Sequence, residues 1–313
     1  MLEVMDRRVA FCAFIFLVFQ SGGGGAQPSR SECELPDGWR AVEARNPHYV
    51  IFGETHGSRE SPELVGAIAC ALAIRGQRVL VGVEIASSTN PDLQRLWATS
   101  AAGFAHRLLS ELPYYAERED GVASVAMVEM LDRLHMLSKS GKKVDIVAFN
   151  GARDAAQVRR WRDLPGQGPH EAAQAENIAE AAARQPYDRV LVLVGNFHAQ
   201  RRPAHWPNAT FDPMALRLAH TDTIISLNQV FAAGTLWNCI RKSGTVIPSS
   251  GEVRDDQRDC GLHGHLPDHI PRGSVRIKLT KRAAGGESPQ YDGEYWFPVV
   301  HGSQPASQVM GAQ

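Results

Sequence analysis

A chain of 313 residues with 43% hydrophobic and 21% charged residues has the make-up of a globular protein with room for one sizeable α/β core. Its formal net charge of -1 offers nothing to a polyanion, so nucleic acid is excluded as a first expectation.

Arg7 and Arg8 precede an apolar run over 9–19. That run is short of the ~20 residues a membrane span needs. Gly24 and Ala26 then stand at the small-residue positions of a cleavage site. The expectation is a signal peptide over 1–26 and a periplasmic or secreted protein, with no stable membrane insertion once the signal is removed. Cleavage would take Cys12 and leave Cys33, Cys70, Cys239 and Cys260 in an oxidising compartment. The expected pairs are Cys239 with Cys260, closing a Gly/Pro/Ser-rich loop, and Cys33 with Cys70, tying the N-terminal arm to the first helix. Buried free thiols at Cys33 and Cys70 are the rival for the second pair.

From residue 27 to 240 short β-rich runs alternate with helical stretches, the pattern of an α/β domain with a mostly parallel central sheet flanked by helices. Strands are expected over 49–53, 79–85, 144–150, 190–196 and 223–229, and helices over 61–75, 91–110, 122–140 and 171–184. Pro62 suits the first turn of its helix, with Ser61 as cap. Trp97, Tyr114 and Tyr115 at helical spacing fit the core or the wall of an apolar pocket. Residues 241–313 read as a loop-rich C-terminal extension packed on the same domain, with an edge strand over 274–280 and a frayed tail.

In sheets of this kind ligands gather at the carboxyl ends of the strands. Those ends carry Glu54, Thr55 and His56 after the first strand and Glu84 on the second. Asn150, Arg153 and Asp154 follow the third, and Asn196, Phe197 and His198 the fourth. Buried carboxylates and imidazoles are costly unless paired or used, so their repetition along one edge marks a site. For Glu84 alone, an ion pair with Arg59 or Arg153 is the plainer reading. The run holding His263, His265 and His269 matches no standard zinc spacing and reads as a solvated loop. There is no Gly-x-Ser-x-Gly elbow and no phosphate-binding Gly-rich loop with its lysine. What remains is histidine and carboxylate chemistry, activating water directly or through a metal.

The strings FGETHGSRE, GVE and LVGNFHA, in that order and at strand ends, resemble the erythromycin esterase, ChaN-like and TIKI superfamily. The segment 170–199 is similar to the Arg-Glu helix and Gly-x-x-His strand of its ChaN-like branch. The resemblance covers about 48–228. A single residue, Thr55, separates Glu54 from His56, a register closer to the ChaN-like and TIKI branches than to the esterases. His170-Glu171 replaces Arg-Glu, and Gln174 replaces a Met.

The resemblance implies His56 as general base and Glu54, Glu60, Glu84 and His198 as the other catalytic groups. Arg59, Arg153 and Asn196, in the loops at the same edge, are the candidate substrate contacts. It implies an exported hydrolase acting on an ester, lactone or peptide bond of a small-molecule or peptide substrate, with no cofactor or a divalent metal. The alternative is a ChaN-like protein that holds haem or a metal without turnover.

Overall fold

A computed structural model describes residues 33–112, 114–115, 118–242, 257–265, 276–280 and 289–310. The expected signal segment and His269 lie outside the described residues. The strands are β1 (Tyr49–Glu54), β2 (Val79–Ala86), β3 (Val144–Asn150), β4 (Arg189–Gly195), β5 (Ala204–Trp206), β6 (Ala209–Phe211), β7 (Ile224–Phe231), β8 (Thr235–Arg241), β9 (Arg258–Gly264), β10 (Ile277–Leu279) and β11 (Gly293–Phe297). The helices are α1 (Trp39–Glu43), α2 (Glu60–Ile74), α3 (Asn90–Ala98), α4 (Phe104–Glu111), α5 (Val125–Lys139), α6 (Ala155–Trp161), α7 (Gly168–Ala182), α8 (Met214–Ala219) and α9 (Ala306–Met310).

The central sheet has seven strands in the order β10-β11-β7-β1-β4-β2-β3, parallel throughout except for β10 against β11. The fold is α/β. Near-continuous apolar strands are covered on both faces, and the two-residue period decides which side chain goes where. Val50, Phe52, Val81, Val83, Leu191 and Leu193 join the larger core, which also takes in residues of α2 to α5. Ile51, Leu80, Val190, Val192 and Val194 join a second core with α7 and α8. Strand β4 returns between β1 and β2, so the carboxyl ends of β1, β4 and β2 stand side by side.

The single helix expected over 91–110 is two. Thr99 turns extended and bonds its hydroxyl back to the Leu96 carbonyl at 2.6 Å, and Gly103 is left-handed before α4 begins. The break lets Trp97 and Phe104 both pack on His135 of α5. Tyr115 is fully buried in the core, and Tyr114 is buried with its hydroxyl donating to the Glu84 carbonyl at 2.8 Å.

The C-terminal region is more ordered into the fold than its composition suggests. β8 and β9 form an antiparallel hairpin with Cys239 opposite Cys260, and β11 joins the sheet beside β7. The tail does not fray where it is described: Gly302 bridges to Ser58, Pro305 bridges to Ser124, and Ala306 is buried. These pairings are invisible locally because each partner lies far away in the chain.

Both expected disulfides are formed, Cys33–Cys70 and Cys239–Cys260. The first closes a separation of 37 residues onto the fully buried Cys70 of α2. Cross-linking a loop of that length restricts the unfolded chain by about 3–4 kcal/mol. The C33A/C70A variant is expected to lose roughly that much in denaturant unfolding of the oxidised protein, and a loss under about 1 kcal/mol would show the arm to be held by packing alone. No helix among the described residues is long and apolar enough to cross a membrane.

Candidate active site

Alternation along the strands aims Glu54 toward the α2 side of the sheet and Glu84 toward the α7 side, each at the carboxyl edge. Both are buried, at 3% and 7% exposure. His56 stands over them with its ring 29% exposed. Its Nδ1 lies 3.0 Å from Glu54 Oε1 and its Nε2 lies 3.5 Å from Glu84 Oε2. The Gly195 N–H donates to that same Oε2 at 2.8 Å. Gly195 sits between the two site histidines: a Cβ there would lie 2.8 Å from His56 Nε2 and 3.5 Å from His198 Cδ2, so only glycine leaves the rings their shared space.

His198 mirrors His56. Its Nδ1 is 2.6 Å from Glu171 Oε1, and its Nε2 is 3.9 Å from Glu84 Oε1. Glu171 is wholly buried and also accepts the Met214 N–H at 2.8 Å. Sequence reasoning misses its role. The signal available is a carboxylate on the buried face of an alanine-rich helix, among Ala172, Ala173 and Ala175.

The arrangement is therefore a chain of carboxylate, imidazole, carboxylate, imidazole, carboxylate: Glu54, His56, Glu84, His198, Glu171. A carboxylate on each Nδ1 orients its ring and stabilises the protonated form. Burial works against a charge on His56, but Glu84, the bond to Glu54 and the more distant Asp120 outweigh it and raise its pKa to about 9. Burial likewise opposes charge on His198, and the hydrogen bond and charge of Glu171 overcome it, so its pKa is raised too. Glu54 is pushed above the usual carboxylate range, chiefly by burial.

These shifts have a sign for stability. A histidine whose folded pKa exceeds its ordinary 6.5 stabilises the protein fully below pH 6.5 and loses that contribution as pH climbs through about 9. Glu54, held above its ordinary value, titrates in the same sense. The melting temperature is expected to decline between those pH values, and the His56→Gln variant should flatten the decline; an unchanged slope in that variant would assign it elsewhere.

Of the other expected residues, Asn196 remains at the rim: it is exposed, its N–H donates to the Glu54 carbonyl at 2.8 Å, and its carbonyl accepts from Tyr291 at 3.0 Å. Glu60 is not brought to the group. Its carboxylate takes both the Nδ1 at 2.6 Å and the backbone N–H of His301, because the C-terminal tail passes over the start of α2. Ser61 does not cap α2 but lies inside it, bonding Tyr295 at 3.2 Å. Arg59 pairs with Glu63 at 2.6 Å on the surface. Arg153 is held by Glu176, Glu180 and Asn177 on α7. Neither arginine pairs with Glu84.

A charged pair that the strand ends did not announce, Arg118 with Asp120, joins the rim from the segment after α4: Arg118 donates its Nε to Asp120 at 3.0 Å and lies over the Tyr114 ring. His263 bonds the Asp259 carbonyl at 3.0 Å and His265 packs beside Phe231. Among the described residues, no three His, Cys, Asp or Glu side chains are grouped as a metal site.

No family model matches this chain, and no curated protein matches it in sequence. Solved structures do. A mutant of erythromycin esterase in its open conformation superposes with a TM-score of 0.56 at 11% identity, over 84% of this chain and 93% of that one. The chain is similar in fold to that esterase. A Bacillus cereus protein superposes equally well on it, with a TM-score of 0.56 at 12% identity over 85% of this chain and 92% of the other. The haem-binding ChaN of Campylobacter jejuni covers 61% of this chain and 84% of its own at 13% identity, with a TM-score of 0.38. At these identities the likeness to the esterase is one of fold.

Proposed function

We propose that the protein is an exported hydrolase that activates water at the Glu54, His56, Glu84, His198 and Glu171 chain and attacks an ester, lactone or peptide bond. The observation that carries this reading is the convergence of the His56 and His198 Nε2 atoms on one buried carboxylate, each ring held from behind by a carboxylate of its own. The 3.5 Å between His56 Nε2 and Glu84 Oε2 is long for a direct bond, and the His56 side chain is 29% exposed, so Nε2 is open to a water arriving from solvent. His56 takes the proton of that water as it attacks. His198, charged against Glu171, stabilises the developing negative charge and protonates the leaving group. Glu84 keeps the two cations from repelling each other and keeps both rings turned to the same space.

Export is supported by both disulfides and by the leader-like sequence before them. The fold shared with an erythromycin esterase supports a small-molecule ester or lactone as the first substrate to try. The test is a panel of 4-nitrophenyl esters, lactones and peptides against the protein and its His56→Ala variant. Turnover lost in the variant is the expected result. Turnover unchanged in it, or a saturable Soret shift with haem that disappears in His198→Ala and is accompanied by no turnover of any substrate, would overturn the hydrolase in favour of the binding protein.

A further inference from the structure

Beside His198, and outside the relay just described, a third imidazole lines the same edge. His170 opens α7 next to Glu171, and its ring centroid lies 5.7 Å from that of His198. It is held in a different way. The amide nitrogen of Gln174, one turn further along the helix, lies 2.6 Å from His170 Nε2 and 3.0 Å from Asn150 Oδ1 at the end of β3. Gln174 is fully buried and an amide nitrogen has two hydrogens to give, so it donates one to Asn150 and one to the ring. The ring nitrogen that accepts cannot also carry the proton, so the proton of His170 stands on Nδ1.

Nδ1 stands beside the bare backbone of Gly151, where a Cβ would lie 3.5 Å from it. The Gly151 carbonyl is already taken by the Ser87 hydroxyl at 2.7 Å and the Asn177 amide at 2.8 Å. Among the described residues no acceptor is left for the His170 N–H. A half-buried donor beside the His198 ring and without an acceptor is what a bound carbonyl or oxyanion would satisfy.

We propose that His170 is a further catalytic residue, a neutral imidazole whose Nδ1–H holds the oxyanion of the acyl group undergoing attack, with Gln174 and Asn150 as its positioning residues. This rests on the hydrolase reading above. It extends the roles given above: His56 takes the proton of water, His198 protonates the leaving group, and His170 shares with His198 the charge on the oxygen that remains. The ring stays neutral for a physical reason. Burial lowers the proton affinity of His170, and the nearby positive charge of His198 lowers it further, against the opposing pull of Glu171 and Glu84. A donor without a permanent charge suits a substrate whose acyl oxygen is neutral until attack.

The test has two arms. In the first, the full-length protein labelled with 15N-histidine is assigned by comparison with His170→Phe. The expected signal at pH 7 is a neutral ring protonated at Nδ1; a ring protonated at Nε2, or a cation, overturns the proposal whatever the enzyme does. In the second, 4-nitrophenyl acetate is the probe. His170→Phe, which keeps the ring and removes the donor, is expected to lose about 10²-fold or more in kcat with KM within a few-fold. His170→Asn, which restores an N–H near the same place, should recover at least about 10-fold of that loss. A His170→Phe variant that keeps the wild-type kcat, while His56→Ala abolishes turnover, overturns the role of His170 alone. If neither substitution matters, the hydrolase reading itself falls.

Discussion

Substitution of His56 by alanine is expected to lower kcat/KM for ester hydrolysis about 10³-fold, the mid-range of what one positioned acid or base supplies. The ring is the only described group that faces the cleft with one nitrogen anchored on Glu54 and the other beside Glu84. Deletion also leaves two buried carboxylates facing each other without the cation between them, so the variant should lose stability as well as rate. His56→Gln separates the two effects, since an amide can still donate to a carboxylate but cannot take a proton from water. It should fold better than the alanine variant and be no more active.

The wild-type pH profile makes the same point independently. With a pKa raised to about 9, His56 is mostly protonated at neutral pH. A base that must be neutral to act then gives kcat/KM that climbs with pH through that value. Because His56 and Glu54 are coupled, the apparent value belongs to the pair. A profile that falls between pH 7 and 9 would make His56 an acid in the reaction and reverse the assignment.

Gly57→Ala is expected to cost more than about 3 kcal/mol, in the class of substitutions that force backbone apart. Gly57 has φ +89°, and a Cβ on it would lie 1.9 Å from the Trp237 carbonyl oxygen and 2.7 Å from its carbon. No rotamer change relieves a clash with main chain. The Gly57 carbonyl also accepts from the N–H groups of Trp237 at 3.1 Å and Ser303 at 2.9 Å. The loop carrying His56, the disulfide-linked hairpin and the C-terminal tail all meet at this residue, so activity should fall with stability.

Gly76 is the control. It shares φ +89° but a Cβ there meets nothing within 4 Å, so Gly76→Ala isolates the backbone strain, about 1 kcal/mol. Equal losses in the two variants, measured by urea unfolding, would mean that the junction around Gly57 relaxes freely.

Much of the site is legible in the amino-acid order alone, and for a local reason. Strand β1 is apolar to Phe52 and then turns to glycine, acid and histidine; strand β4 is apolar to Val194 and then ends on Gly195 and leads to His198. In a parallel sheet those transitions fall at one edge, so Glu54, His56, Glu84 and His198 can be placed together from order and period. Glu171 cannot, because a helix residue shows only which face it occupies, and which strand loop that face meets depends on how β4 and α7 are packed. Glu60 illustrates the opposite failure. It lies four residues from His56 in the chain, yet a tail from 241 residues away reaches it first.

The sequence by itself determined the alternation of buried strands and covering helices, the edge that bears the polar groups and the even number of cysteines beyond the expected leader, because hydrophobic period and strand-end chemistry are read within a few residues and cysteines by counting; that Cys33 is bonded to Cys70 and not left a free thiol was decided by the fold. Only the tertiary structure decided which carboxylate backs which imidazole, that β11 completes the sheet beside β7, and that the tail locks the loop of His56 at Gly57. Those outcomes depend on contacts between segments that are distant in the chain, and their energies come from close packing and hydrogen-bond satisfaction that no single segment contains.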